Sequence, residues 1–62
     1  MIEKEYPELY QTILWWAEEA CNFFNIRNLK KALIADVCAD CMYALQSGEA
    51  TLDELMDEYS VA

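Results

Sequence analysis

Hydrophobic residues recur along this chain at spacings of three and four, and nowhere do they alternate cleanly with polar ones. Helices account for that pattern better than strands. One proline (Pro7) and one glycine (Gly48) are the only strong punctuators, which leaves little room for hairpins.

The spacing predicts a first helix over about 7–24. Proline suits a first helical turn, where its missing N–H has no partner to lose. At about 100° per residue, Leu9, Tyr10, Ile13, Leu14, Ala17, Ala20, Cys21 and Phe24 share one arc, extended by Trp16 and Phe23. Gln11, Thr12, Glu18, Glu19 and Asn22 fall opposite, with Trp15 in their midst. A connector follows, in which Asn25 suits a turn and Asn28 is a candidate cap for the next helix.

A second helix is expected over about 29–47, stopping at Gly48, a favourable residue just past a helix end. Leu33, Ile34, Val37, Cys38, Cys41, Ala44 and Leu45 form one face, and Ala32, Ala35, Ala39 and Met42 another. A helix apolar nearly all round is normally covered on more than one side, so this one is expected at the centre of the fold. The third helix, about 52–59, is announced by Thr51 and Glu54 in the spacing of a capping box. Leu52, Leu55, Met56 and Tyr59 form its apolar face, and Asp53, Glu54, Asp57 and Glu58 its acidic one. It is too short to stand alone and must dock. The fold class expected is therefore all-α: residues 1–62 as one small three-helix domain, two long antiparallel helices plus a short C-terminal helix.

Size sharpens this picture. A chain of 62 residues hides only about 60% of the surface its unfolded form exposes. An apolar content of 56% is more than such a monomer conceals, so a homodimer is expected. The stripe Ala32, Ala35, Ala39 and Met42 allows close helix–helix approach and is the candidate dimer interface.

Charge narrows the partners. Twelve acids face four bases, for a net charge of −8. Nucleic acids and anionic membranes want lysine and arginine, so direct binding to either is not expected. A partner with a basic surface is favoured. Three of the bases, Arg27, Lys30 and Lys31, crowd the start of the second helix, where the dipole disfavours cations. Glu18 and Glu19, or the acids of the third helix, are the expected compensation. No leader-like segment opens the sequence, and no apolar run reaches the roughly 18 residues of a spanning helix. Three cysteines without secretory context are expected as free thiols in the cytoplasm.

Candidate chemistry is sparse. Cys38 and Cys41 form a C-x-x-C, open to a thiol or metal reading. Structural zinc needs four Cys or His ligands, and the chain has no histidine and one further cysteine, Cys21. A redox pair belongs at a helix N-terminus, where the thiol pKa falls; this one lies within a predicted helix beside Asp36 and Asp40. Small buried hydrophobes are the leading reading of both. The third-helix acids either form a solvated face or mimic nucleic acid. No histidine base, phosphate loop or serine nucleophile motif is present, so neither an enzyme nor a cofactor is expected.

What is left over is surface. Trp15, ringed by polar residues, has the character of an interface anchor, unless it lies flat on the third helix. Tyr6, Tyr10 and Phe23 are further candidate anchors, with Asp53, Glu54, Asp57 and Glu58 as steering charge. Of the pair Phe23-Phe24, one is expected to seal the loop. The chain thus reads as a non-catalytic protein-binding module, a small acidic regulator or inhibitor of the type that phages and mobile elements direct at host proteins. The alternative is a dimerisation or assembly module with no outside target.

Overall fold

The computed structural model describes residues 1–61. It is all-helical: α1 (Ile2–Glu5), α2 (Pro7–Phe24), a 3-10 turn (Arg27–Leu29), α3 (Lys30–Ser47) and α4 (Leu52–Glu58). Among the described residues there are four α-helices where three were expected. The addition, α1, has only one apolar residue to announce it, Ile2, which is buried in the core. Tyr6 separates α1 from α2 because a residue before proline is pushed out of the helical region; its φ is −135° and ψ 66°.

The helix ends obey local chemistry. Asn25 takes the left-handed conformation after α2, with φ 56°. The Ile26 N–H then donates to the Cys21 carbonyl at 3.0 Å, which is how such C-termini satisfy their orphan acceptors. Gly48 ends α3 with φ 80°. A Cβ there would meet nothing within 4 Å, so the backbone conformation alone calls for glycine. At α4 the capping box is complete. Thr51 Oγ1 accepts from the Glu54 N–H at 3.2 Å, and Glu54 Oε1 accepts from the Thr51 N–H at 2.9 Å. The expected cap at Asn28 is not formed. That residue lies inside the 3-10 turn, and Leu29 precedes α3 with no side-chain cap.

One core cluster draws on all four helices: Ile2, Leu9, Ile13, Val37, Cys41 and Leu55. The two long helices fold back along one another. Lys30 pairs with Glu18 at one end, and Val37 and Cys41 join the cluster of Leu9 and Ile13 further along. Helix α4 runs beside α2 in the same direction. Met56 meets Thr12, and one turn on Tyr59 packs edge-on against Trp16, with ring centroids 5.0 Å apart.

The centre is therefore α2, not α3. Helix α2 buries Leu9, Thr12, Ile13, Ala17 and Cys21, whereas α3 buries Val37 and Cys41 alone. The expectation failed because the extra apolar positions of α3 are alanines, which are easily left in water. Thr12, on the predicted polar face, is buried beneath α4. It tolerates this because its hydroxyl donates to the Glu8 carbonyl at 2.9 Å.

Candidate protein-binding surface

Helix α4 lies beside α2 but is much shorter, so the seam between them is continued along α2 by Ser60 and Val61. Three open hollows follow that seam. The first, of about 280 Å³, lies among Glu5 to Leu9 and Leu52. The second, of about 260 Å³, lies among Glu8, Gln11, Thr12, Trp15 and Met56. The third, of about 330 Å³, is lined by Trp16, Glu19, Ala20, Phe23, Phe24, Ser60 and Val61. Each is at or near the lower limit of small-ligand pockets, about 300 Å³. They suit side chains of a partner better than a cofactor. Among the described residues no buried side-chain nitrogen or oxygen lacks a partner, so the interior offers no polar hook and recognition falls to the surface.

Large apolar side chains stand on the walls of this seam. Trp15 is 61% exposed, Phe23 82% and Phe24 66%. Trp15 and Phe23 are eight residues apart on one stripe of α2, which is roughly 12 Å at 1.5 Å per residue. Phe23 and Phe24 pack edge-to-face with centroids 5.0 Å apart. Neither of them seals the loop, contrary to expectation. Both lie in the last turn of α2, where Ile26 takes the half-buried position. Trp15 borders Met56 of α4 without being covered by it; the neighbouring Trp16 takes Tyr59.

The remaining candidates divide. Tyr6 and Tyr10 are half-buried and pack against the core. Asp53, Glu54, Asp57 and Glu58 are all exposed, yet they are not equivalent. Glu54 is occupied by the capping box. Glu58 lies near enough to Cys41 of α3 for its charge to help raise that thiol. By helical spacing Asp53 falls on the Met56 side of α4, toward the seam, with Asp57 beyond it. On α3, Ala32, Ala35 and Ala39 are exposed between Leu29 and Tyr43, which are exposed too, whereas Met42 leans into the core. Of the seam residues, the sequence pattern marks Leu52 and Met56 only as the docking face of the third helix and Phe24 as one of a pair, and does not single out Val61. Phe24 shared the arc of core residues, and only its place in the last turn of α2 distinguishes it.

Charge is distributed unevenly. No lysine or arginine lines any of the three hollows, but Glu5, Glu8 and Glu19 do. Three of the four bases, Arg27, Lys30 and Lys31, lie just past the C-terminal end of α2, and Lys4 lies on α1. Lys30 hydrogen-bonds Glu18 and lowers its carboxyl pKa, and Arg27 Nε donates to Asn22 Oδ1 at 2.9 Å. These contacts supply the compensation expected for the α3 N-terminus.

The three cysteines are free. Burial pushes the thiols of Cys38 and Cys41 up, away from the nucleophilic thiolate. Tyr59, beside Cys41, is pushed up to about 12, chiefly by burial and then by the Cys41 and Glu58 charges. Among the described residues no group of three or more Cys, Asp or Glu is placed to hold a metal ion. No helix among them is long and apolar enough to cross a membrane. Comparison with protein-family models, with curated proteins and with solved structures found no match. The class of molecule therefore rests on its own architecture, that of a small all-helical protein.

Proposed function

We propose that this protein is a non-catalytic binding module that grips a partner protein along the α2–α4 seam, as a small acidic regulator or inhibitor does. The exposed Trp15 carries the reading. A tryptophan gains much by burial, is among the residues most enriched at interface hot spots, and here stands beside an unfilled hollow. Phe23 extends the same stripe. The acid-rich surface disfavours nucleic acid and anionic membrane as partners.

A Trp15→Ala, Phe23→Ala double variant tests this. Both side chains are exposed, so the helical circular dichroism should be preserved. Affinity capture from host lysate should lose a partner that the unaltered protein retains. Retention of every partner by the folded double variant would sink the reading.

A second reading has its own support. The α3 face from Leu29 through Ala32, Ala35 and Ala39 to Tyr43 is exposed and suits a twofold contact with another copy. Ala35→Glu with Ala39→Glu should then convert a dimer to a monomer by light scattering. A monomer at every concentration before substitution would remove it.

A further inference from the structure

We propose that the occupant of the α2–α4 seam is a basic amphipathic helix of a partner protein. This rests on the seam being a binding surface, and adds the chemistry of what fills it.

Shape comes first. The hollows come in order along α2, with Leu52 beside Tyr6–Leu9 in the first, Met56 beside Thr12 in the second, and Val61 beside Phe23 in the third. From Tyr6 to Phe24 the hollows are strung along about 27 Å of α2, of which the seven residues of α4 flank about 10 Å; a partner helix of roughly 18 residues matches the whole of that length. A helix laid along it presents one apolar stripe of recurring anchors, the usual mode of helix-in-groove recognition. Trp15 and Phe23 set the period. Anchors two turns apart, i and i+7, span about 10.5 Å and meet the second and third hollows. Met56 adds an adaptable, polarisable surface suited to such a stripe.

Charge then selects among helices. Glu8 and Glu19 line the hollows, with Asp53 and Asp57 along the α4 edge, and no base lines any of the three. Arg27 and Lys30 are engaged at the far end with Asn22 and Glu18. A partner helix with acidic flanks is repelled, a neutral one gains nothing from the rim, and one with Lys or Arg flanking its apolar stripe is steered in. A second copy of this chain is a poor occupant by the same measure. Its exposed α3 face carries Asp36 and Asp40, and its own seam is lined by Glu5, Glu8 and Glu19, so either would bring acids against the acids of the seam.

The test uses the full chain and two labelled synthetic peptides of roughly 18 residues, the length of α2. Both carry Leu at i, i+3 and i+7. One has lysines on the flanks, the other glutamates in the same places. Fluorescence anisotropy should show the lysine peptide binding in the micromolar range and the glutamate peptide not binding. Trp15→Ala with Phe23→Ala should weaken the lysine peptide by about tenfold or more. Asp53→Asn with Asp57→Asn should weaken it about three- to tenfold and flatten its salt dependence. Ala39→Glu, on the opposite side, should leave it unchanged.

Equal binding of the two peptides overturns the proposal, as does a lysine peptide insensitive to both double variants. So does self-association by sedimentation that Trp15→Ala with Phe23→Ala abolishes, since a second copy then fills the seam. If the lysine peptide fails to bind while the same variant loses a natural partner on capture, the basic-helix chemistry is wrong and the binding surface stands.

Discussion

Helices α2 and α3 are the same length, 18 residues each, and they do opposite work. The first has large apolar side chains on one arc and charged ones on the other. The second has almost no polar strip at all. Yet α2 contributes five buried residues and α3 two. The difference teaches that apolar area, not the number of apolar positions, decides which helix is surrounded. Burying a leucine or isoleucine contributes about 1.5–3 kcal/mol, whereas an alanine offers little more than one methyl, about 0.8 kcal/mol. Leu9 and Ile13, both fully buried, draw three neighbours around α2. Ala32, Ala35 and Ala39 draw none.

Core truncation is the strongest way to break that comparison. Ile13→Ala should lower unfolding stability by about 2–5 kcal/mol in urea titration, a large part of what so small a protein has. Val37→Ala on α3 should have a smaller effect in the same titration. An equal or larger loss from α3 would place the centre back on that helix.

High pH acts where α3 meets the end of α4. Cys38, Cys41 and Tyr59 are held neutral in the fold, with pKa values raised above their ordinary 9.0, 9.0 and 10.0, Tyr59 to about 12. The unfolded chain therefore releases these protons first and binds fewer of them, so stability falls as pH rises. It should be fully present below pH 9 and decline progressively toward pH 12, followed by circular dichroism. Tyr59→Phe should reduce the slope above pH 10; an unchanged slope would detach Tyr59 from the effect.

A subtler change loosens the cover over α2. Thr51→Ala removes the side chain that accepts from the Glu54 N–H, at a cost of about 1 kcal/mol. Hydrogen exchange should rise across α4 and at Thr12 more than across α3. The smallest effect is expected on the outer face of α3. Ala39→Gln should alter monomer stability by no more than about 0.5 kcal/mol. A larger loss that depends on protein concentration would mean that this face is covered by another copy.

Much of this architecture was legible before any coordinates. Pro7, Gly48 and the Thr51–Glu54 box mark helix ends by local rules that need no tertiary partner, and the observed ends lie within a residue of those expected. Failures came where neighbours decide. Thr12 reads as solvent-facing until α4 lies on it. Phe23 and Phe24 invite one buried partner, but α2 outlasts the helices beside it. Asn28 was a reasonable cap, and the chain used a 3-10 turn instead. Helix α1 depends on a single residue, Ile2, too little for any periodicity to register. Of the surface candidates, Trp15 stood out because one large apolar residue interrupted a polar face, and a violation of pattern is local enough to read. The seam itself was invisible, since it exists only in the register of α4 on α2.

Two adjacent tryptophans with different surroundings give the molecule two built-in optical probes. Trp16, held edge-on to Tyr59, sits in a fixed asymmetric environment, which favours a near-ultraviolet dichroic band that vanishes with tertiary packing. Trp15 stands in water, so its emission should be red-shifted and open to acrylamide quenching, and it should turn blue and protected when the seam is filled. Integrity of the fold and occupancy of the surface can thus be followed separately in one unlabelled sample, with Trp15→Phe and Trp16→Phe assigning each signal.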